Sequence, residues 1–175
     1  METIIYHTEH DKLKRWGDGP WVDEPDKVQW QDKATGLPCL ARRGQFGGLC
    51  GYVGVSPGHP AYGKRYNDVY VDVHGGLTYA AKCSHGEEDK SICHIPGDGE
   101  PDDVWWLGFD CGHYMDFSPG LVPVDHPTLG LGKLSSFEKL EYRTLDFVQN
   151  ECRRLAKQLS DPELRVSEEK GSDNV

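Results

Sequence analysis

The stretch Val104-Trp105-Trp106-Leu107-Gly108-Phe109-Asp110-Cys111-Gly112-His113-Tyr114-Met115-Asp116 decides how this chain is read. Its first half carries the β-favouring side chains Val104, Trp105, Trp106 and Phe109 and reads as a strand. Its second half gathers side chains able to hold a metal or move a proton: Asp110, Cys111, His113 and Asp116. A strand that is apolar along its length and polar at its end delivers a site to the rim of a sheet. Trp105 and Trp106 are adjacent, so on a strand they point to opposite faces. One belongs to the core, and the other lines a pocket or an interface.

A second stretch, from Val69 to Tyr79, has the same design. Val69, Val71 and Val73 alternate as on a half-buried strand, and His74 with Gly75 and Gly76 follows as a bulge or tight bend. If the two strands are neighbours, His74 faces Asp110 and His113.

Working outward, residues 27–31 and 37–42 read as two strands of a hairpin around Thr35-Gly36. Residues 44–55 form a glycine-punctuated apolar run. Its glycines are read as allowing bends and close packing in a strand; a phosphate-cradling loop would need a strand-then-helix context with Gly-Lys-Ser/Thr, which does not follow. Residues 56–66 make a Pro-stiffened loop with His59 as a turn residue. Residues 82–99 are polar and irregular, holding Cys83, His85, Cys93 and His94, and a Pro/Gly loop over residues 118–127 would cover one side of the site. The clearest helix comes last: Leu145, Val148, Cys152, Leu155 and Leu159 recur at spacings of three and four, Thr144 is its N-cap, and Asp146 suits the first turn. The expected architecture is α+β, a twisted and mainly antiparallel sheet covered on one face by this long C-terminal helix. Residues 1–19 are expected to form an N-terminal arm or edge strand, 20–162 a single domain, and 163–175 a flexible acidic tail.

With 175 residues the chain can bury a real core, and its 21 Gly and 11 Pro favour loops and strands over helices. A formal net charge of −10 opposes a sequence-independent grip on duplex nucleic acid or anionic lipid. The N-terminus does not read as a signal peptide and no apolar run suits a bilayer, so a cytoplasmic location without membrane association is expected. On that ground the six cysteines are expected to be thiols, with Cys39, Cys50 and Cys152 as small core hydrophobes.

His74, Asp110 and His113 would supply three ligands to a divalent metal, zinc or manganese, leaving a position open for the water that the ion acidifies; Asp116 would be a fourth ligand or a general base. A rival set, Cys83, Cys93, Cys111 and His113, would close a structural zinc site, although its spacing is poor for one. A Cys–His nucleophile is a third option. The bland alternative is that Asp110 caps a turn while His74 and His113 are satisfied histidines of the fold.

The combination of His74-Gly-Gly-Leu-Thr-Tyr79, Trp105-Trp106-Leu-Gly-Phe-Asp-Cys-Gly-His113 and a helix beginning near Tyr142-Arg-Thr-Leu resembles a family of small uncharacterised proteins of phages and bacterial genomes. The resemblance spans residues 20–160 and implies context, an accessory protein inside a bacterial cell, but transfers no activity and no site. Two functions follow. One is a metal-assisted hydrolase acting on a phosphorylated or nucleotide-like substrate. The other is a non-catalytic binding protein, open to homo-oligomerisation, that sequesters a small nucleotide-like ligand or blocks a host protein. In the second, Tyr62, Tyr79 and the exposed one of Trp105 and Trp106 stack bases while Lys64 and Arg65 meet phosphates.

Overall fold

A computed structural model of the chain describes residues 1–83, 86–121 and 140–167. His85, the second half of the expected 118–127 loop and the tail from residue 168 lie outside them.

Six strands form one antiparallel sheet: β1 (Ile4–Tyr6), β2 (Lys27–Gln31), β3 (Pro38–Arg43), β4 (Leu49–Val55), β5 (Tyr79–Lys82) and β6 (Trp105–Asp110), in the order β1-β2-β3-β4-β6-β5. Among the described residues the α-helices are a short α1 (Lys12–Trp16) and the long α2 (Leu145–Leu159). The chain is therefore α+β, with α2 on one face of the sheet, as the sequence suggests. The expected hairpin joins β2 to β3, where Asp32 accepts hydrogen bonds from the Thr35 amide and hydroxyl and Gly36 takes a φ of 74°. The arm supplies the edge strand β1. At the other end, residues 164–167 remain docked: Val69 bridges Val166, and Leu164 packs on the core.

α2 buries the predicted stripe of Val148, Cys152, Leu155 and Leu159 against Val53, Leu107 and Phe109 of the sheet. Each large side chain so buried contributes about 1.5–3 kcal/mol. The approach is close at Gly51 of β4, where a Cβ would overlap Phe109 and press on Cys152 Sγ. This is the close packing expected of the glycine run. Thr144 caps α2 by accepting from the Phe147 amide at 3.4 Å. The opposite face of the sheet carries Leu40, Tyr52 and Trp106, with Val104 and Ile92 against them. Among the described residues no helix is long and apolar enough to cross a membrane.

Two expectations are corrected. Val69 to Gly76 is not a strand of the sheet: its regular part begins only at Tyr79, and the backbone before it is satisfied by side chains of α2. The Asp72 amide donates to Gln158 Oε1 at 2.7 Å and the His74 amide to Glu151 Oε2 at 2.8 Å. Val69 and Val73 are buried as their alternation implies. The cysteines are not all thiols, because Cys83 and Cys93 form a disulfide that closes the loop after β5. That bond also removes both sulfurs from the rival zinc set.

Candidate functional site

The end of β6 brings His74, Asp110, His113 and Asp116 together. After Asp110 the chain turns over residues 113–116, the Asp116 amide returning to the His113 carbonyl at 2.9 Å, with Met115 at a left-handed φ of 78°. This turn folds the Asp116 carboxylate beneath the His113 amide, which donates to Oδ2 at 3.1 Å. His74 arrives on its own turn, Gly75 and Gly76 both having positive φ. Its Nε2 donates to the same oxygen at 2.7 Å. Arg143, just ahead of α2, donates from Nε to Asp116 Oδ1 at 2.8 Å.

The Asp116 side chain is 0% exposed. Burial alone would push its carboxyl up, but hydrogen bonds from Arg143, His74 and the His113 amide outweigh it and hold the group below the ordinary aspartate value. An ionised Asp116 requires the donating tautomer at His74 Nε2, and Nδ1 is then left to act as a base. Phe147 backs both donors, its ring 5.2 Å edge-on from His74 and 4.9 Å from the Arg143 guanidinium. The His113 ring lies 5.7 Å from that of His74 and covers Gly75 so closely that a Cβ there would overlap it. Its Nε2 is shielded, without a hydrogen-bond partner among the described residues, 3.6 Å from Asp110 Oδ1. Asp110 also lines an adjoining cavity of about 190 Å³ with Phe46, Cys50 and Ser118.

The four residues are neighbours, but among the described residues no three His, Cys, Asp or Glu side chains converge as a metal-ligand set. Both Asp116 oxygens are engaged by N–H donors, one of them from the Arg143 guanidinium, whose positive charge beside the carboxylate opposes a second cation there. The donors in this arrangement do not fit zinc or manganese.

Nor do the residues expected to stack and grip a nucleotide share one surface. Trp106 is the fully buried tryptophan, and Tyr79 packs edge-on to Tyr52 on that face. Trp105 lies on the helix side, 6.1 Å from Tyr62, its indole N–H donating to the Lys64 carbonyl at 3.0 Å. Tyr62 donates to Asp103, and Arg65 pairs with Asp68 at 2.7 Å. His59 is the turn residue expected of it, its Nδ1 accepting from the Ala61 amide.

Arg143 and Glu151 complete the site, and sequence reasoning missed both. A signal existed for each. Arg143 is a cation ahead of a helix N-terminus, the unfavourable end for positive charge, which calls for a carboxylate nearby. Glu151 sits on the apolar stripe, between Val148 and Leu155, where a carboxylate must find partners. It accepts from the His74 amide and from Arg154.

No family model, curated protein or solved structure matches this chain.

Proposed function

We propose that the cluster at the end of β6 is the acid–base centre of a small hydrolase, an accessory protein of phage or bacterial type. The observation that carries this reading is the 2.7 Å hydrogen bond from His74 Nε2 to the buried Asp116 carboxylate, completed by Arg143 on the other oxygen. An imidazole held this way is a pre-oriented base. Its Nδ1 takes a proton from water as the water attacks, and Asp116 stabilises the imidazolium that forms. Substrate would lie against His74 and Arg143, which the cavity beside Asp110 adjoins without including them in its walls. Arg143 spends Nε on Asp116 and Nη1 on Glu141, and among the described residues nothing engages Nη2, which would meet a substrate oxygen. Phosphate esters are therefore the first class to test, with carboxylic esters as the comparison.

The test is turnover of p-nitrophenyl phosphate, bis(p-nitrophenyl) phosphate and p-nitrophenyl acetate by the wild type, His74→Gln and Asp116→Asn. Expected is turnover of at least one substrate that falls roughly 10²–10⁴-fold in His74→Gln, with an unchanged circular dichroism spectrum. Absence of turnover across the panel, or turnover indifferent to both changes, refutes the reading.

A further inference from the structure

The opposite face of the sheet holds a separate cavity of about 290 Å³, whose lining includes Tyr6, Lys27, Ser91, His94 and Asp102, with the Cys83–Cys93 disulfide in its wall. Its volume is at the small end of ligand pockets, roughly 300–1,000 Å³. Lys27, on β2, is 2% exposed. The chain buries another lysine, and the contrast is informative. Lys12 meets the Asp26 carboxylate at 3.2 Å, an ordinary buried ion pair. Lys27 donates instead to the backbone carbonyl of Glu88 and lies 5.3 Å over the Tyr6 ring, and among the described residues it makes no ion pair.

An ammonium buried on a carbonyl and an aromatic face is costly, and the group responds by releasing its proton more readily. Burial, with Arg42 directly across the β2–β3 ladder, pulls Lys27 down to about 8, against the opposing pull of Asp89 and Glu88. His94, 5.4 Å edge-on to Trp106, is likewise held below its usual value, first by burial and then by Lys27 and the N-terminal amine, with Asp102 and Glu100 opposing. The cavity therefore presents an amine with a substantial neutral fraction and a neutral imidazole. Its acids, Glu88 and Asp102, disfavour an anionic ligand.

We infer that Lys27 is a reactive amine that condenses with a small uncharged aldehyde or ketone held in this cavity. The nitrogen lone pair forms the C–N bond, and the proton the nitrogen sheds passes by way of His94 or water to the carbonyl oxygen, which becomes a hydroxyl. The hydroxyl takes a second proton from solvent and leaves as water, giving the protonated imine, which returns its N–H proton to solvent as the imine forms. No electron donor or acceptor is involved.

The test uses the full chain with benzaldehyde and sodium cyanoborohydride at neutral pH, the hydride fixing each imine as a benzylamine, followed by peptide mapping by mass spectrometry. Lys27 should be marked at least roughly tenfold faster than the exposed Lys33 and Lys157, because a lysine of ordinary pKa is almost wholly protonated there. Lys27→Met should remove the fast phase and leave the others unchanged. If that variant does not fold, the wild-type map alone still decides. Labelling of Lys27 no faster than that of Lys33 and Lys157 overturns the inference, since a purely structural lysine under Tyr6 and Glu88 would be protected.

Discussion

Asp116 is the residue on which the site depends, because its charge is sealed from water and is tolerated only while three donors meet it. A carboxyl held below its unfolded value contributes stability that is fully present above the unfolded aspartate pKa of about 3.9. That stability is lost as pH falls through the lower native value. Asp26 behaves in the same sense: burial pushes it up, but the Glu9 and Thr8 amides, Arg43 and Lys12 outweigh the burial. The wild type should thus lose stability to urea steeply below about pH 4. Asp116→Asn should be less stable by roughly 3 kcal/mol at pH 7, because the half-buried Arg143 guanidinium loses its counter-charge and the N–H donors lose an acceptor. Its stability should also fall less steeply with acid, Asp26 supplying the remainder. Urea midpoints from pH 7 to pH 3 for both proteins check this, and equal slopes would deny Asp116 its charged role. From the sequence alone, the spacing of His74, Asp110, His113 and Asp116 could suggest proximity but not orientation. It is the orientation, with every Asp116 oxygen facing an N–H, that gives a hydrogen-bonded dyad in place of a metal-ligand set.

At the scale of elements, the segment from Val69 to Gly76 shows why the sheet was more legible than its neighbourhood. Alternation correctly marks Val69 and Val73 as buried, while β2 and β3 are marked by a hairpin turn, β4 by a glycine-punctuated apolar run and β6 by β-favouring side chains. Alternation says nothing of what satisfies the backbone. Here the partners are Gln158 and Glu151 on α2, far along the chain, and no local pattern near His74 announces them. The helix was legible because a 3.6-residue stripe and a Thr cap are local signals, whereas the glutamate within that stripe signals only that something polar must arrive. Glu151→Ala should therefore leave α2 helical but release the turn that carries His74. The expected readout is faster amide hydrogen exchange at Asp72 and His74 than at the β4–β6 ladder, with a loss of about 1–3 kcal/mol from the unpaired buried amide. Exchange unchanged at those two amides would show that the Gly75–Gly76 turn holds its shape without α2.

For the whole molecule, the decisive feature is that the sheet is covered twice, and by unlike means. α2 covers one face with a continuous apolar stripe that forms one buried cluster with the strands beneath it. The other face is covered by irregular chain around Ile92, His94 and Val104, packed on Trp106 and Tyr52 and fastened by Cys83–Cys93. A polar loop has too few apolar side chains to hold itself down by burial alone, so a crosslink across ten residues of sequence takes part of that role. The sequence could not reveal this, since an even count of cysteines fits thiols and bridges equally and only the expected compartment separates the two. Replacing both cysteines by alanine should lower stability by about 2–3 kcal/mol, the loop-closure entropy of a short bridge. The loss should be uneven. Exchange protection should fall on the Trp106 face and in the lysine cavity, while the α2 face and the His74–Asp116 hydrogen bond, followed by the His74 imidazole proton in NMR, should be retained. If both faces loosened together, the sheet would be one cooperative unit in which the two covers cannot be separated. If neither did, the apolar contacts of Ile92 and Val104 would suffice to hold the loop without the bridge.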